Sequence, residues 1–218
     1  MKLIIFDFDG TLVDSRSLIL ESHRIVFSEF RLPLPPAAAC LSLVGQTLDL
    51  ILEELAGPAA PIRAMVRAYD FWLPKLRADP AFAEKPFEGI ADLLRDLSTA
   101  PDTVLGMATG HTSVTVAPAL AALQWRDFFR TIQAADMAPS KPHPAMLLQA
   151  LEATGARPED AIFVGDTTYD MEMARAAKVS SMGVNWGYHK AEQLAASGAD
   201  GIAFNVEELR KYLSAFVD

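Results

Sequence analysis

Short runs of apolar residues recur along the chain and predict the strands of a buried sheet. These runs lie at 2–6, 103–108, 131–135, 161–165, 180–184 and 201–204. Stretches with helical spacing of apolar residues separate the later runs, at 113–124, 143–154, 169–177 and 190–197. Because the runs are almost continuously apolar, we expect strands that are covered on both faces. The alternation of strand and helix predicts an α/β fold with a parallel sheet and helices on both sides.

Residues 15–86 interrupt this alternation with an all-helical block. Helical spacing of apolar residues occurs there at 17–30, 47–55 and 62–76. We predict no strand in the block, a loop at the proline-rich segment 33–40 and a return connection at 77–89. The sequence therefore predicts two domains, a core of residues 1–14 and 87–218 and an inserted helical domain of residues 15–86.

Composition narrows the class of partner. The 218 residues carry a formal net charge of −9, which repels nucleic-acid backbones and anionic membranes, so we expect neither as a partner. The single cysteine, Cys40, excludes an intramolecular disulfide and suits a reducing compartment. The apolar run before Asp7 is too short for a signal-peptide core or a membrane span. We expect a cytoplasmic protein, a monomer or homodimer, that acts on a small molecule.

Polar side chains follow the ends of four predicted strands. Asp7 ends the first strand, Thr109 ends the second, Lys141 follows the third, and Asp166 and Asp170 follow the fourth. In a parallel α/β sheet, ligands bind at the carboxyl ends of the strands. We therefore expect these side chains to converge on one edge of the sheet, although they are scattered along the chain.

Asp7 and Asp9 are spaced for metal binding and for catalysis. They lie two residues apart after a buried strand, and such carboxylates repel each other unless a cation sits between them. With Asp166 as a third oxygen donor, the cation of choice is Mg²⁺. A carboxylate can also attack phosphorus to form an aspartyl-phosphate, and a second one can act as general acid and base. The alternative is a pair of surface aspartates that cap a turn.

The other polar positions each have a structural alternative. Thr109 can donate its hydroxyl to a phosphate that approaches beside Gly110, or it can cap the helix at 113–124. Lys141 can hold the phosphate, or it can be a solvated surface lysine. Asp170 can bind a metal, bind the waters of that metal, or complement a helix dipole.

Taken in order along the chain, these four motifs resemble those of the haloacid dehalogenase superfamily of phosphohydrolases. "DFDGTLVDS" matches the D-x-D-x-T signature, and "ATG", the lysine of "SKPHP" and "GDTTYD" match the second, third and fourth motifs. The helical block resembles the cap domain of the phosphoglycolate-phosphatase-like branch. The resemblance covers the whole chain and implies a Rossmann-like core with the first strand central, covered by a helical cap.

The resemblance also implies a role for each residue. Asp7 would be the nucleophile and Asp9 the general acid and base. The implied Mg²⁺ ligands are Asp7, Asp9 through its backbone carbonyl, Asp166 and, in support, Asp170. The implied phosphate-binding residues are Asp7, Thr109, Gly110 and Lys141. The implied activity is Mg²⁺-dependent hydrolysis of a small-molecule phosphate monoester, such as phosphoglycolate, through an aspartyl-phosphate.

Individual residues discriminate between branches of the superfamily. Dehalogenases lack an aspartate at the position of Asp9, and the phosphonatase branch uses a cap lysine that the first cap helix here does not offer. Sugar-phosphate mutases often carry an arginine in the cap loop 43–47, which has none here. A phosphomutase like β-phosphoglucomutase, an inorganic pyrophosphatase and a non-enzymatic phosphoacceptor signalling module remain the alternatives.

The cap loop offers candidate substrate contacts. Gly45, Gln46 and Thr47 lie where related enzymes contact the leaving group, although the same stretch reads equally well as a helix start capped by Thr47. We interpret as structural four further features, namely Lys75, Arg77, His111 and the loop 185–189. A cap inserted through two linkers is expected to close over the site and exclude water.

Overall fold

The computed structural model describes residues 1–217, which form eight strands and ten α-helices. The strands are β1 (Lys2–Phe6), β2 (Val13–Asp14), β3 (Lys85–Pro86), β4 (Thr103–Ala108), β5 (Phe129–Gln133), β6 (Ala161–Gly165), β7 (Ser180–Val184) and β8 (Gly201–Ala203). The helices are α1 (Arg16–Glu29), α2 (Ala37–Ser42), α3 (Leu48–Ala56), α4 (Ile62–Arg77), α5 (Ile90–Ser98), α6 (Ser113–Ala122), α7 (Ala145–Thr154), α8 (Thr168–Ala177), α9 (Ala191–Ala196) and α10 (Val206–Val217). Within this described range, no helix is both long and apolar enough to cross a membrane.

One parallel sheet forms the core, and its strand order is β5-β4-β1-β6-β7-β8. Side chains of β1 alternate between two hydrophobic clusters. Ile4 and Phe6 pack with α5, α6 and α10 on one face, whereas Leu3 and Ile5 pack with α7 and α8 on the other. Helices therefore cover both faces and the first strand is interior, which confirms the predicted Rossmann-like α/β fold.

Helices α1 to α4 build a second unit, which we call the helical cap. Helices α1, α3 and α4 share a hydrophobic cluster that includes Leu18, Phe27, Leu52 and Met65, and α2 packs against α1 through Leu41 and Ile19. Strands β2 and β3 pair antiparallel where the chain leaves the core and where it returns. The boundaries predicted from the sequence, after residues 14 and 86, follow β2 and β3 directly, and the division into two domains stays a prediction.

Several elements differ from the sequence predictions. The segment 33–40, predicted as a loop, contains the start of α2. Strand β5 begins and ends two residues before the predicted 131–135, because it is an edge strand with a solvent-facing Arg130 and is not continuously apolar. The short strand β3 lies at the end of a block predicted to have none. Helices α5 and α10 were not predicted, although the buried residues of α5 have clear helical spacing.

Candidate active site

The nucleophile candidate Asp7 continues the central strand by one residue. Its backbone N–H donates to the carbonyl oxygen of Val164 on β6, at 2.9 Å. The chain then turns at Gly10, where φ is +75° and a Cβ would overlap the Asp166 carboxylate. Glycine is therefore required at this turn, which brings the first and fourth motifs into contact. The surface-turn alternative for the aspartate pair is wrong, because Asp7 is 1% and Asp9 is 9% exposed.

A buried lysine links the first, third and fourth motifs. Lys141 Nζ lies 2.8 Å from Asp7 Oδ1 and 2.8 Å from Asp170 Oδ1. Its side chain is fully buried, so the solvated-lysine alternative is wrong. Burial alone would lower the pKa of Lys141, but the charges of Asp170 and Asp7 outweigh it and raise that pKa. Burial raises the pKa of Asp7 to about 7, although the charge of Lys141 opposes the shift.

Asp170 contacts Lys141 through one carboxylate oxygen and orients the start of α8 through the other. Its Oδ2 accepts from the backbone N–H groups of Asp166 and Thr167 and from the Thr167 hydroxyl. The Thr167 hydroxyl in turn accepts from the Asp170 N–H and completes a capping box. Of the roles considered for Asp170, the structure therefore shows the one at the helix N-terminus, and its support of a metal stays a prediction.

Asp166 is held by two donors from neighbouring loops. Thr11 Oγ1 donates to its Oδ1 at 2.9 Å, and the backbone N–H of Tyr188 donates to its Oδ2 at 2.8 Å. Burial and the nearby charges of Asp170 and Asp7 raise the pKa of Asp166 well above its usual range. The loop 185–189, interpreted as structural, thus holds a candidate metal ligand in place.

The acidic cluster fits a divalent cation. Carboxylate oxygens of Asp7, Asp166 and Asp170 lie within 4.8 Å of one another, and all three residues are buried. Among the described residues, Asp7 Oδ2 finds no hydrogen-bond partner, although it is buried. A buried acceptor without a donor is costly unless a cation or ligand satisfies it. An all-oxygen set of this kind suits Mg²⁺.

Asp9 lies at the boundary between the buried cluster and a cavity. Its Oδ1 accepts from Ser15 Oγ at 2.5 Å, and its Oδ2 lies 2.8 Å from His111 Nε2. Burial alone would raise the pKa of Asp9, but the charge of His111 and the contacts with His111 and Ser15 lower it. Burial alone would lower the pKa of His111, and the charge of Asp9 reverses this to raise it. The two side chains therefore form an ion pair.

Two contacts of Asp9 were not expected from the sequence. We interpreted His111 as structural, yet it contacts Asp9 and lines the cavity, so it belongs to the site. Ser15 was not considered, although it lies six residues after Asp9, and its hydroxyl also contacts the Tyr188 hydroxyl at 3.0 Å. The position of His111 two residues after Thr109, on the motif loop itself, was the available signal.

Thr109 is fully buried directly after β4. Its backbone N–H donates to the Gln133 carbonyl at 3.0 Å, and its hydroxyl accepts from the His111 N–H at 3.2 Å. The helix-cap alternative for Thr109 is wrong, because Thr112 occupies the N-cap of α6 and accepts from the Thr115 N–H. Its role in phosphate binding stays a prediction.

The cap loop is seated on the core. The Thr47 N–H donates to Ser140 Oγ at 2.9 Å, and a Cβ on Gly110 would lie 2.5 Å from the Gln46 carbonyl oxygen. The missing side chain of Gly110 therefore leaves room for the backbone of the cap loop. The phosphate contact predicted for Gly110 from the sequence stays a prediction. Gly45 has a φ of +102° and faces Thr167. Thr47 is at the N-cap of α3, as the structural alternative predicted, but without a side-chain cap bond.

Two more cap residues fit their structural interpretation. Lys75 stacks over the ring of Phe71 at 3.3 Å, away from the acidic cluster. Arg77 forms a buried ion pair with Glu84 and donates to the Thr115 carbonyl on α6 at 2.7 Å. Arg77 thereby ties the end of the cap to the core.

A cavity of about 710 Å³ lies between the cap and the core. From the core it is lined by Asp9, Gly110, His111 and the segment Ala135 to Ser140, and from the cap by the loop 44–47 and by α3 and α4. Gly45, Gln46 and Thr47 all border it, but whether they contact substrate stays a prediction. The cavity ends at Asp9 and does not include Asp7, Lys141 or Asp166.

Comparisons with known proteins agree with this architecture. The sequence profile of the haloacid dehalogenase-like hydrolase family matches residues 4–184. The chain is 34% identical to the probable phosphatase IndB of Dickeya dadantii over 89% of this chain and 86% of the relative. It is 30% identical to the phosphoglycolate phosphatase of Escherichia coli O157:H7, over 94% and 90%. A haloacid dehalogenase-like hydrolase from Streptococcus pneumoniae superposes with a TM-score of 0.83 at 28% identity, over 98% of both chains.

Proposed function

The chain belongs to the haloacid dehalogenase-like hydrolase family, and we propose that it is a Mg²⁺-dependent phosphatase that hydrolyses a small-molecule phosphate monoester through an aspartyl-phosphate. One observation carries this proposal. Among the described residues, Asp7 has a buried carboxylate oxygen without a hydrogen-bond partner, and Asp9, two residues later, borders a cavity large enough for a substrate. The phosphatase names of two relatives support the same activity.

The chemistry uses two carboxylates in different roles. An oxygen of Asp7 forms a bond to phosphorus while the ester P–O bond breaks, and the proton that Asp9 and His111 share passes through Asp9 to the departing oxygen. Water then attacks the phosphorus of the aspartyl-phosphate, Asp9 takes the proton of that water, and phosphate leaves with Asp7 restored. His111 and Ser15 hold the Asp9 carboxylate through both steps.

The remaining motif residues hold the transferred group. The Lys141 ammonium and the Thr109 hydroxyl are donors that suit phosphate oxygens. Mg²⁺ would be held by Asp7, the backbone carbonyl of Asp9 and Asp166, with Asp170 in support, and its charge offsets the repulsion between Asp7 and the phosphate.

The physiological setting is part of the proposal. We expect a small phosphorylated metabolite as substrate and a monomer or homodimer in the cytoplasm, where the single cysteine stays reduced. The names of relatives make phosphoglycolate one ester to test.

The decisive experiment measures free phosphate released from p-nitrophenyl phosphate with and without Mg²⁺. We expect Mg²⁺-dependent turnover that falls by roughly 10³-fold or more in Asp7→Asn and persists in Asp127→Asn, a matched change at an exposed aspartate. Undiminished activity of Asp7→Asn would contradict the nucleophile assignment. An isomerised sugar phosphate without free phosphate would indicate a mutase. Selective cleavage of pyrophosphate would indicate a pyrophosphatase. A stable phosphorylated Asp7 without turnover would indicate a signalling module.

A further inference from the structure

In the described part of the chain, the acidic cluster and the large cavity come together at Asp9 and at the loop that carries His111. Asp7, Thr109 and Lys141 are at most 1% exposed and do not line the cavity. Since Asp9 is the group that protonates the leaving oxygen in the proposed reaction, the alcohol part of the substrate has to extend from Asp9 into the cavity.

The cavity is much larger than a two-carbon alcohol. Glycolate has five non-hydrogen atoms. If each takes roughly 30 Å³, the volume of one water molecule in the liquid, glycolate fills about 150 Å³. The cavity volume is about 710 Å³, which is in the range that holds ligands with a ring system. A glycolate group would leave most of this space to water.

The cap side of the cavity is predominantly apolar. Helix α4 contributes Ile62, Val66 and Leu73, which lie at helical spacing, and α3 contributes Leu48 and Ile51. Apolar walls gain free energy when an apolar ligand displaces water from them. The surface opposite Asp9 therefore favours a hydrocarbon body over a small charged one.

Among the described residues, the buried cations at or near the cavity are all paired, and His111, which lines it, is paired with Asp9. Arg77 is committed to Glu84 and the Thr115 carbonyl, and Lys141 is committed to Asp7 and Asp170. Among the described residues that line the cavity, the lysine and arginine side chains are those of Arg63 and Arg67, and both are exposed. A carboxylate next to the ester oxygen would add a negative charge beside the Asp9–His111 pair, with no unpaired buried cation among the described residues to balance it.

We infer that the substrate is the phosphate monoester of a bulky alcohol, with an apolar body and no charge beside the ester oxygen. This rests on the proposed phosphatase function and names the substrate class of that site. It separates this chain from a phosphatase selective for phosphoglycolate.

The test compares kcat/KM for four esters of primary alcohols: ethyl phosphate, 2-phosphoglycolate, benzyl phosphate and 2-naphthylmethyl phosphate. We expect kcat/KM to rise by roughly tenfold or more from ethyl to 2-naphthylmethyl phosphate. The kcat/KM for 2-phosphoglycolate should be lower than the values for the two arylmethyl esters. A value for 2-phosphoglycolate equal to or above that for 2-naphthylmethyl phosphate would overturn the inference and leave the phosphatase proposal intact.

A pair of matched variants locates the effect. Val66→Trp fills the apolar wall, whereas Val114→Trp makes the same change at a residue that is 78% exposed and outside the cavity. We expect the ratio of kcat/KM for 2-naphthylmethyl over ethyl phosphate to fall roughly tenfold in Val66→Trp and to stay constant in Val114→Trp. An equal ratio in both would place the selectivity elsewhere and count against the inference.

Binding of non-hydrolysable phosphonates tests this inference independently of the proposed phosphatase activity. Calorimetry with 2-naphthylmethylphosphonate and ethylphosphonate reports selectivity without turnover. Tighter binding of the aryl phosphonate to a protein that hydrolyses no ester would uphold the inference and reject the phosphatase proposal. Equal binding of the two phosphonates would reject the inference, whatever the turnover.

Discussion

The ammonium of Lys141 lies 2.8 Å from the carboxylate of Asp7, and both side chains are buried. The same nitrogen lies 2.8 Å from Asp170. A single buried cation thus contacts one carboxylate directly after β1 and one in the first turn of α8, so the candidate active site is also part of the buried core. Each partner of such a cluster is expensive to remove, because the others stay buried with their charge uncompensated.

Replacement of this cation should therefore destabilise the fold. We expect Lys141→Met to lower the free energy of unfolding by about 3–5 kcal/mol, measured by urea denaturation. The matched control is Lys2→Met, which removes a partly exposed pair with Asp160 at 3.6 Å and should cost at most about 1 kcal/mol. Similar losses in the two variants would show that the buried cluster contributes no more than a surface pair.

The buried imidazole of His23 should make the stability of the cap depend on pH. His23 is 2% exposed, and its Nδ1 lies 2.8 Å from the Ile19 carbonyl oxygen. Burial lowers the pKa of His23 below its ordinary 6.5, although the backbone hydrogen bond opposes the shift. The unfolded chain therefore binds the proton more readily than the folded one. The stability that this group contributes is complete above pH 6.5 and is lost as pH falls through that value towards the folded pKa.

This pH dependence can be isolated with a double difference. In urea denaturation at pH 7 and pH 5.5, wild type should lose more stability than His23→Asn, by at most about 1.4 kcal/mol for each pH unit. The exposed His143 provides the control, because His143→Asn should keep the wild-type dependence. If His23→Asn and wild type lose stability equally, the buried ring is not responsible.

Closure of the cap should depend on the absence of a side chain at Gly110. A Cβ there would lie 2.5 Å from the Gln46 carbonyl oxygen and 3.1 Å from that of Gly45. We expect Gly110→Ala to displace the cap loop and to lower kcat/KM by roughly tenfold to 10²-fold. Hydrogen exchange of the Thr47 N–H, which donates to Ser140, should become faster.

The control for Gly110 is a glycine without neighbours. Gly155 has a φ of +72° and nothing within 4 Å of a Cβ, so Gly155→Ala should reduce stability through backbone strain and leave turnover unchanged. Reduced turnover in Gly110→Ala with unchanged exchange at Thr47 would point to lost phosphate contacts instead of a displaced cap.

The central residues of the site could be predicted because the sequence pattern indicates where each strand ends. Asp7, Thr109 and Asp166 each follow a continuously apolar run directly, and parallel strands bring such positions to one edge. Lys141 was also expected at this edge, because it follows the third predicted strand. Its contact with Asp170 was not specified, since side-chain reach is not encoded in spacing.

The partners of Asp9 were harder to foresee for a physical reason. Ser15 follows β2 of the ribbon, and Tyr188, whose hydroxyl contacts Ser15, lies on the loop after β7, so both reach the site through tertiary structure that residue spacing does not encode. The position of His111 on the motif loop was a signal, but position alone does not separate a ring that contacts a catalytic carboxylate from one that packs in the core. The cavity was likewise invisible, because its walls depend on how the cap is seated on the core.

The ribbon of β2 and β3 has a consequence for cap motion. The chain passes between core and cap twice, and at these crossings Val13 pairs with Pro86 and Asp14 with Lys85. Two unpaired linkers would allow the cap to rotate about several axes. Two hydrogen-bonded strands instead act as a single hinge, which bends most easily in the direction normal to the ribbon. We expect the cap to move about one axis, so that the distances between several pairs of labels on α4 and α6 should rise and fall together as the cap opens.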